Sequence, residues 1–446
     1  MKYINEKEIA QKSLEFAKKH GADNARVSLN IGIQNSFSIL DNKLDRLQSA
    51  NDRSLFIQLY CNGRYGTYST NRLEAKELDT FISEAVKGTS LLTPDEFRVL
   101  PSKELYYTDN GVDLQQYDPY ILTMQPEEKK RIAFEACEEI YGTNKKIVSV
   151  AAEYGDVLEY QYMADSQGFE GESLQSNFSL SVECSVKGRG NARPEGWWYD
   201  SVMQYREFSP KGIGTHALER ALKKLNSKRV KSAKLPMVVD ATSASRLISP
   251  IFSALNGASI HQKNSFLIDS LGKKIFTDKF NLIDTPHQVG MQGARYFDGE
   301  GIATKPLNII DKGVVNTYFV NTYNAAKLGI KPTIEGVSIP KLDTSAFSKE
   351  LQNIKGEHMP KLLGKGIYVT GFNGGNCNGG TGDFSFGVEG FYFENGELLF
   401  PVKELNISGN MISLWNNLAL VGNDARKCTR WQIPSLAFND VDFTGL

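Results

Sequence analysis

Histidine and cysteine are scarce in this chain, with five of each in 446 residues. The cysteines, at 61, 137, 184, 377 and 428, are scattered, and no Cys-x-x-Cys pair occurs. That leaves no zinc ribbon and no disulfide framework legible from spacing, and it fits a reduced, cytoplasmic protein. His20, His216, His261, His287 and His358 never fall at the spacing of two ligands on one helix, and neither HExxH nor HExxxH is present. A local zinc motif is therefore missing, although widely separated residues can still converge on a metal. No GxSxG elbow marks a serine nucleophile. No apolar run approaches the ~20 residues of a membrane span, and the first residues, MKYINEKEIAQ, read as polar helix rather than a secretory leader. Excess charge is also missing: 51 basic against 52 acidic residues give a net charge of -1. Direct nucleic-acid binding has no electrostatic support in that balance. The most basic stretch, residues 223–234, reads as a solvated linker.

What remains is an ordinary globular composition, 41% hydrophobic, in a chain long enough for two or three domains. Residues 5–20 predict a helix, with Asn5 and Glu8 spaced as a capping box and Gly21 as its stop. Alternating strand follows over 25–39. Residues 54–61 and 64–69 predict a hairpin across Asn62-Gly63. Residues 73–87 read as an amphipathic helix, and a turn-rich loop runs to about Asp118. A second unit opens on a helix at Pro126. Its clearest strand is 178–187, where Phe178, Leu180, Val182, Cys184 and Val186 share one face. Cys184 is thus expected in the core. Trp197-Trp198 are expected in a loop, and a helix over 212–225 closes the unit. From Leu235 on, strands dominate: a short apolar strand at 237–240, a helix at 244–255, a hairpin across Asn395-Gly396, a helix at 411–420 and a final strand at 435–443.

The most informative segment is GFNGGNCNGGTGDFSFGVEGFYFENGELLFPVKELNISGN, residues 371–410. Its glycine-rich start is not a phosphate loop, because no Gly-Lys-Ser/Thr follows, and not a dinucleotide fingerprint, because a hairpin follows instead of a helix. Backbone that can approach an extended ligand remains the functional reading, with Gly380, Thr381, Gly382, Asp383 and Ser385 as peptide-groove candidates. One polar cluster, Arg295, Asp298 and Glu300 around a glycine turn, reads either as a site or as a salt bridge fixing a sheet connection.

Several ordered segments resemble the TldD/PmbA family, also labelled modulators of DNA gyrase. Gly21-Ala22-Asp23 with Asn62-Gly63-Arg64 resembles its first domain. Phe297-Asp298-Gly299-Glu300-Gly301 resembles its FDxEG signature, and residues 322–329, TYNAAKLG, its TxxARKLG segment. Thr381-Gly382-Asp383-Phe384-Ser385, with Glu394-Asn395-Gly396 and Gly409-Asn410, is the most specific match. The resemblance implies an α+β fold: an N-terminal α/β region, then a large β-rich C-terminal domain with mostly antiparallel sheets. Boundaries are expected at 1–110, 111–230 (packing with the first as one unit) and 231–446.

In the family's TldD branch, HExxxH and a distant cysteine hold zinc. Here Ser249 and Ala254 align with the two histidines and Pro250 with the glutamate, while Cys428 lies near the third ligand's place. Hydroxyl and methyl cannot replace imidazole, and proline cannot act as a base. The chain therefore resembles the PmbA/TldE branch, with no metal and no catalytic residue of its own. That implies a TldD-like partner carrying zinc, small or unfolded peptides as substrate, and a homodimer when the chain is alone. Two other readings stay open: a stand-alone hydrolase built on Arg295, Asp298 and Glu300 with Cys377 or Cys428, and a gyrase- or toxin-related binding protein acting indirectly.

Overall fold

A computed structural model describes residues 4–108 and 111–445. The N-terminal half runs α1 (Ile4–Lys19), β1 (Asn24–Leu40), β2 (Lys43–Cys61), β3 (Arg64–Thr70) and α2 (Ala75–Thr89), then α3 (Pro126–Glu138), β4 (Ile147–Asp165), β5 (Glu170–Val186), β6 (Glu195–Val202) and α4 (Ile213–Lys223). Its strands form one antiparallel sheet in the order β3-β2-β1-β4-β5-β6. Period-2 alternation sorts the side chains. The odd positions of β1 all turn to the helices: Val27 and Leu29 enter a core with α1 and α2, and Phe37 and Ile39 enter a second core with α3 and α4. Cys184 lies in that second core, fully buried. The even positions, Ser28, Asn30, Gln34, Ser36 and Ser38, form a polar face.

The C-terminal half adds β7 (Ala233–Val239), α5 (Ala241–Ala254), α6 (Gly257–His261), β8 (Leu282–Asp284), β9 (Leu307–Asp311), β10 (Val314–Val315), α7 (Thr322–Leu328), β11 (Pro340–Leu342) and α8 (Pro360–Leu363). It ends with β12 (Lys365–Cys377), β13 (Asp383–Glu394), β14 (Glu397–Asn410), α9 (Met411–Asn416), β15 (Leu418–Val421) and β16 (Leu436–Gly445). A small sheet runs β10-β9-β8-β11, and a larger one runs β14-β13-β12-β7-β16-β15. Pairing of β14 with β16 closes the larger sheet into a barrel, so its central strands have no open edge over most of their length. Among the described strands, β7 and β12 are the pair that runs parallel. The fold is α+β, with mostly antiparallel sheets in the C-terminal half. Trp415 is fully buried, stacked on Phe280 at 4.2 Å, and donates its indole N–H to the Leu247 carbonyl of α5.

Asp165, at the end of β4, anchors the segment that reaches the C-terminal half. Its carboxylate accepts from Arg26, from the Tyr106 hydroxyl at 2.6 Å and from the backbone N–H groups of Gln167 and Phe169. The segment around Tyr106 bridges to Ile302 of the C-terminal half, and Phe169 packs edge-on against Phe297.

The structure departs from the sequence-based expectations in four places. Strand β2 starts at Lys43 rather than near Ser54, because its first half is exposed and carries no burial alternation. Trp197 and Trp198 lie within β6, opposite Glu183 and Val182, not in a loop. The helix expected over 411–420 stops at Asn416, and residues 418–421 are a strand paired with β16. Asn5 sits inside α1 instead of capping it. The basic stretch after α4 is partly docked: Lys228 exchanges backbone hydrogen bonds with Pro401 and Lys403, and Arg229 pairs with Glu404.

Lys129 of α3 pairs with Asp156 of β4 at 2.8 Å, with side chains 7% and 0% exposed. Lys129→Met would strand a buried carboxylate, and urea denaturation should show a loss of about 3–5 kcal/mol. Adding Asp156→Leu should recover most of it.

Candidate functional site

The apolar strand β7 ends at Asp240, which turns the chain into a helix. The Asp240 side chain accepts from the Thr242 N–H at 2.9 Å, capping α5, and its own N–H donates to the Val369 carbonyl at 2.9 Å. Pairing of β7 with β12 therefore covers only Ile367 to Val369. Strand β12 continues to Cys377, held on one side by β13. On the other side it faces α5 across a groove of about 570 Å³. Side chains occupy part of that open edge: Arg220 and Ser243 donate to the Thr370 carbonyl, and Arg246 donates to the Gly375 carbonyl at 3.1 Å. Between these points Gly371, Phe372 and Asn373 line the groove, opposite Ser249, with Trp197 and Trp431 at its sides. Glu389 lies beside them. Burial opposes its ionisation, but hydrogen bonds from Lys224 and Asn373, both at 2.6 Å, outweigh that and hold its carboxyl below the usual range.

Ser249 and Trp431 also border a second hollow of about 720 Å³, which contains Ser253, Asn256, Arg295, Glu335 and Arg430. Ser249 and Ser253 share a helix face at i and i+4. Ala254 does not join them: it is 1% exposed and belongs to the C-terminal core. Residues five apart on a regular helix diverge by about 140°, and α5 stays regular through Pro250. Positions 249 and 254 therefore face solvent and core respectively. Apart from the Glu335 carboxylate, the polar groups lining this hollow are hydroxyls, amides and guanidiniums, and with no imidazole or thiolate this donor set does not fit tetrahedral zinc. Cys428 lines a different hollow with Tyr199 and Gln292. Among the described residues no group of three or more His, Cys, Asp or Glu is placed to hold a metal ion.

Gly380, Thr381, Gly382, Asp383 and Ser385 lie beyond Cys377, in the turn between β12 and β13 and at the start of β13. That turn is tied to itself and to α9. Gly382 N–H donates to Asn378, Met411 N–H donates to Gly382, and Asn410 bonds the Thr381 carbonyl and the Asp383 carboxylate while capping α9. The bonds from Asn410 and Thr381 hold the Asp383 carboxyl below its ordinary range. Gly371 and Gly374, earlier in the same strand, are the glycines that line the groove. Other glycines answer to crowding: a Cβ at Gly375 would meet the Ser385 carbonyl, and one at Gly390 the Tyr368 carbonyl.

Arg295, Asp298 and Glu300 are close but engaged separately. Asp298, 2% exposed, accepts backbone N–H groups from Glu300, Ile302 and Glu335. Glu300 accepts the N–H and hydroxyl of Thr322. Arg295 donates to the Ser338 hydroxyl and the Gly336 carbonyl. Glu335, absent from the sequence reading, joins them by accepting the Gly299 N–H. Burial pushes the carboxyls of Asp298, Glu300 and Glu335 above their ordinary values. Burial likewise raises the thiols of Cys377 and Cys428, which keeps both in the less nucleophilic protonated form.

A carboxyl raised by folding contributes stability that is complete below its unfolded value and is lost as pH rises through its folded value. Glu335→Gln removes one such group and keeps an acceptor for Gly299. Its stability relative to the parent chain should grow from about pH 4 to about pH 7, read as urea midpoints at both.

Comparison with known proteins places this geometry. The PmbA/TldA metallopeptidase domain 1 matches residues 25–88, the central domain residues 119–225 and the C-terminal domain residues 232–445. Metalloprotease PmbA of Escherichia coli O157:H7 is 27% identical over 457 residues, covering 100% of this chain and 99% of that protein. A Bacteroides thetaiotaomicron crystal structure, named for a proposed modulation of DNA gyrase, superposes with TM-score 0.96 at 46% identity, covering 100% of both chains. TldE from Thermococcus kodakarensis shares the fold, with TM-score 0.84 at 18% identity over 98% of this chain and 100% of that one. With matching domains in order along nearly its whole length, the chain belongs to the PmbA/TldD metallopeptidase family.

Proposed function

We propose that this chain is the PmbA/TldE-like subunit of a two-subunit peptidase, acting with a TldD-like subunit on small or unfolded peptides and supplying no zinc ligands itself. The observation that carries this reading is the open edge of β12 at Gly371–Asn373, facing a groove lined on its α5 side by Ser249. An extended peptide laid on that edge adds a strand. Main-chain hydrogen bonds then supply affinity with little regard to sequence, which suits a substrate class defined by being unfolded. Arg246 and Arg220 cap carbonyls at either end of the opening, so the free stretch is short and its register is set. Zinc in the partner would supply the Lewis acid and the activated water. The residues of this chain hold and align the peptide.

Two experiments test the reading. The purified chain should carry substoichiometric zinc and leave β-casein intact, and cleavage should appear on adding a zinc-bearing TldD-like subunit. One zinc per chain with cleavage by the chain alone would overturn the proposal. Gly371→Leu places bulk in the groove where a Cβ meets only the Glu389 side chain at ordinary contact distance. The reconstituted pair should lose at least about tenfold in kcat/KM, ~1.4 kcal/mol, while Tm stays within about 2 °C of the parent. Unchanged cleavage would remove the groove from the mechanism.

A further inference from the structure

Part of one edge of the N-terminal sheet, along β2, is unfinished. Strand β1 pairs with β2 along its whole length, but β3 covers only Leu55 to Cys61. The earlier part of β2 therefore presents a row of unpaired backbone N–H and C=O groups. Side chains there are exposed on both faces, including Leu44 at 45% and Leu47 at 56%. No glycine or proline interrupts residues 43–54. A bulge at Asp45, where Ser38 pairs with Arg46 and Ile39 with Leu44, bounds the flat stretch to residues 46–54. Open strand of this kind is a template for another strand.

We propose that residues 46–52 pair antiparallel with the same residues of a second copy, about a two-fold axis through Ser49. The inference rests on this sheet alone and not on the peptidase reading. Backbone geometry restricts the register. Only alternate residues of an edge strand point their N–H and C=O outward, and antiparallel partners must match in this respect. A two-fold axis must then pass through a residue rather than between two. Centring on Ser49 sets Arg46 opposite Asp52 of the second copy, twice by symmetry, with Leu47 opposite Asn51 and Gln48 opposite Ala50. It also brings Arg53 to the bulge at Asp45.

The neighbouring registers lack this match. Centring on Ala50 gives no charged pair, and centring on Gln48 sets Arg53 toward Lys43, a like-charge contact that disfavours pairing. Within the chain neither Asp45 nor Asp52 forms an ion pair among the described residues, while Arg46 reaches Glu153 only at 3.8 Å. The pairing uses acids left without partners and an arginine already on the correct face.

Cysteine cross-linking of the full chain tests the register. Under mild oxidation Ser49→Cys should form a covalent dimer, since directly opposed residues lie within disulfide reach. Leu47→Cys and Asn51→Cys should link efficiently only when mixed, and the parent chain, with half-buried Cys377, gives the background. Asp52→Arg should weaken the dimer at least tenfold by sedimentation, and Arg46→Asp combined with Asp52→Arg should restore it. A chain that stays monomeric, or that pairs through this edge only with a TldD-like subunit, overturns the proposal. So does a dimer that Ser49→Cys fails to link or that Asp52→Arg leaves unchanged.

Discussion

The parallel pairing of β7 with β12 stops at Val239 and Val369, and the candidate site follows from that stop. A strand that ended level with its neighbour would have closed the barrel on this side as β14 and β16 close it elsewhere. Instead Asp240 caps a helix, and α5 crosses where the next strand residues would lie. A helix presents no main-chain donors or acceptors sideways. The edge of β12 opposite it therefore stays unpaired except where Arg220, Ser243 and Arg246 reach across. That open stretch of β12 faces Ser249 of α5 across the groove.

Where the halves meet, Tyr106, Met163 and Phe169 form a small apolar cluster with Phe297, and Asp165 lies beside it. It is nearly fully buried, yet its carboxylate has four donors, two from backbone and two from side chains reaching in from β1 and the segment at Tyr106. A buried carboxylate satisfied this completely is specific about geometry, because losing any donor exposes the cost of its desolvation. Asp165 fixes the Tyr106 segment from within the N-terminal half, and hydrogen bonds between the halves add to the apolar cluster. Gln292 donates to the Ser201 hydroxyl at 2.7 Å in one such bond.

Local chemistry made part of this legible from residues. Asn62-Gly63 and Asn395-Gly396 both adopt positive φ at both positions and turn their hairpins where expected. The alternation of β5 placed Cys184 in the core correctly. Long-range pairing was not legible. Residues 43–52 carry no burial pattern, because among the described residues nothing packs over them, and their partnership with β1 makes them a strand. Glu335, Arg430 and Trp431 enter the site from loops far along the chain, and no spacing rule connects them to Ser249.

The glycines of the segment from 371 to 390 answer to different physical needs, which composition alone does not separate. Gly375, Gly387 and Gly390 sit where β12 and β13 approach so closely that a Cβ would strike a main-chain carbonyl of the facing strand. They are needed by the barrel whether or not a ligand exists. Gly382 packs against the Phe266 ring in a left-handed turn, again a structural need. Gly371 differs: its φ is ordinary and nothing in the protein crowds it beyond van der Waals contact with Glu389. Neither strain nor packing within the chain demands glycine there. On the proposed reading, a glycine that the fold does not require, on the open stretch of an otherwise paired strand, would leave room for the backbone of a bound peptide.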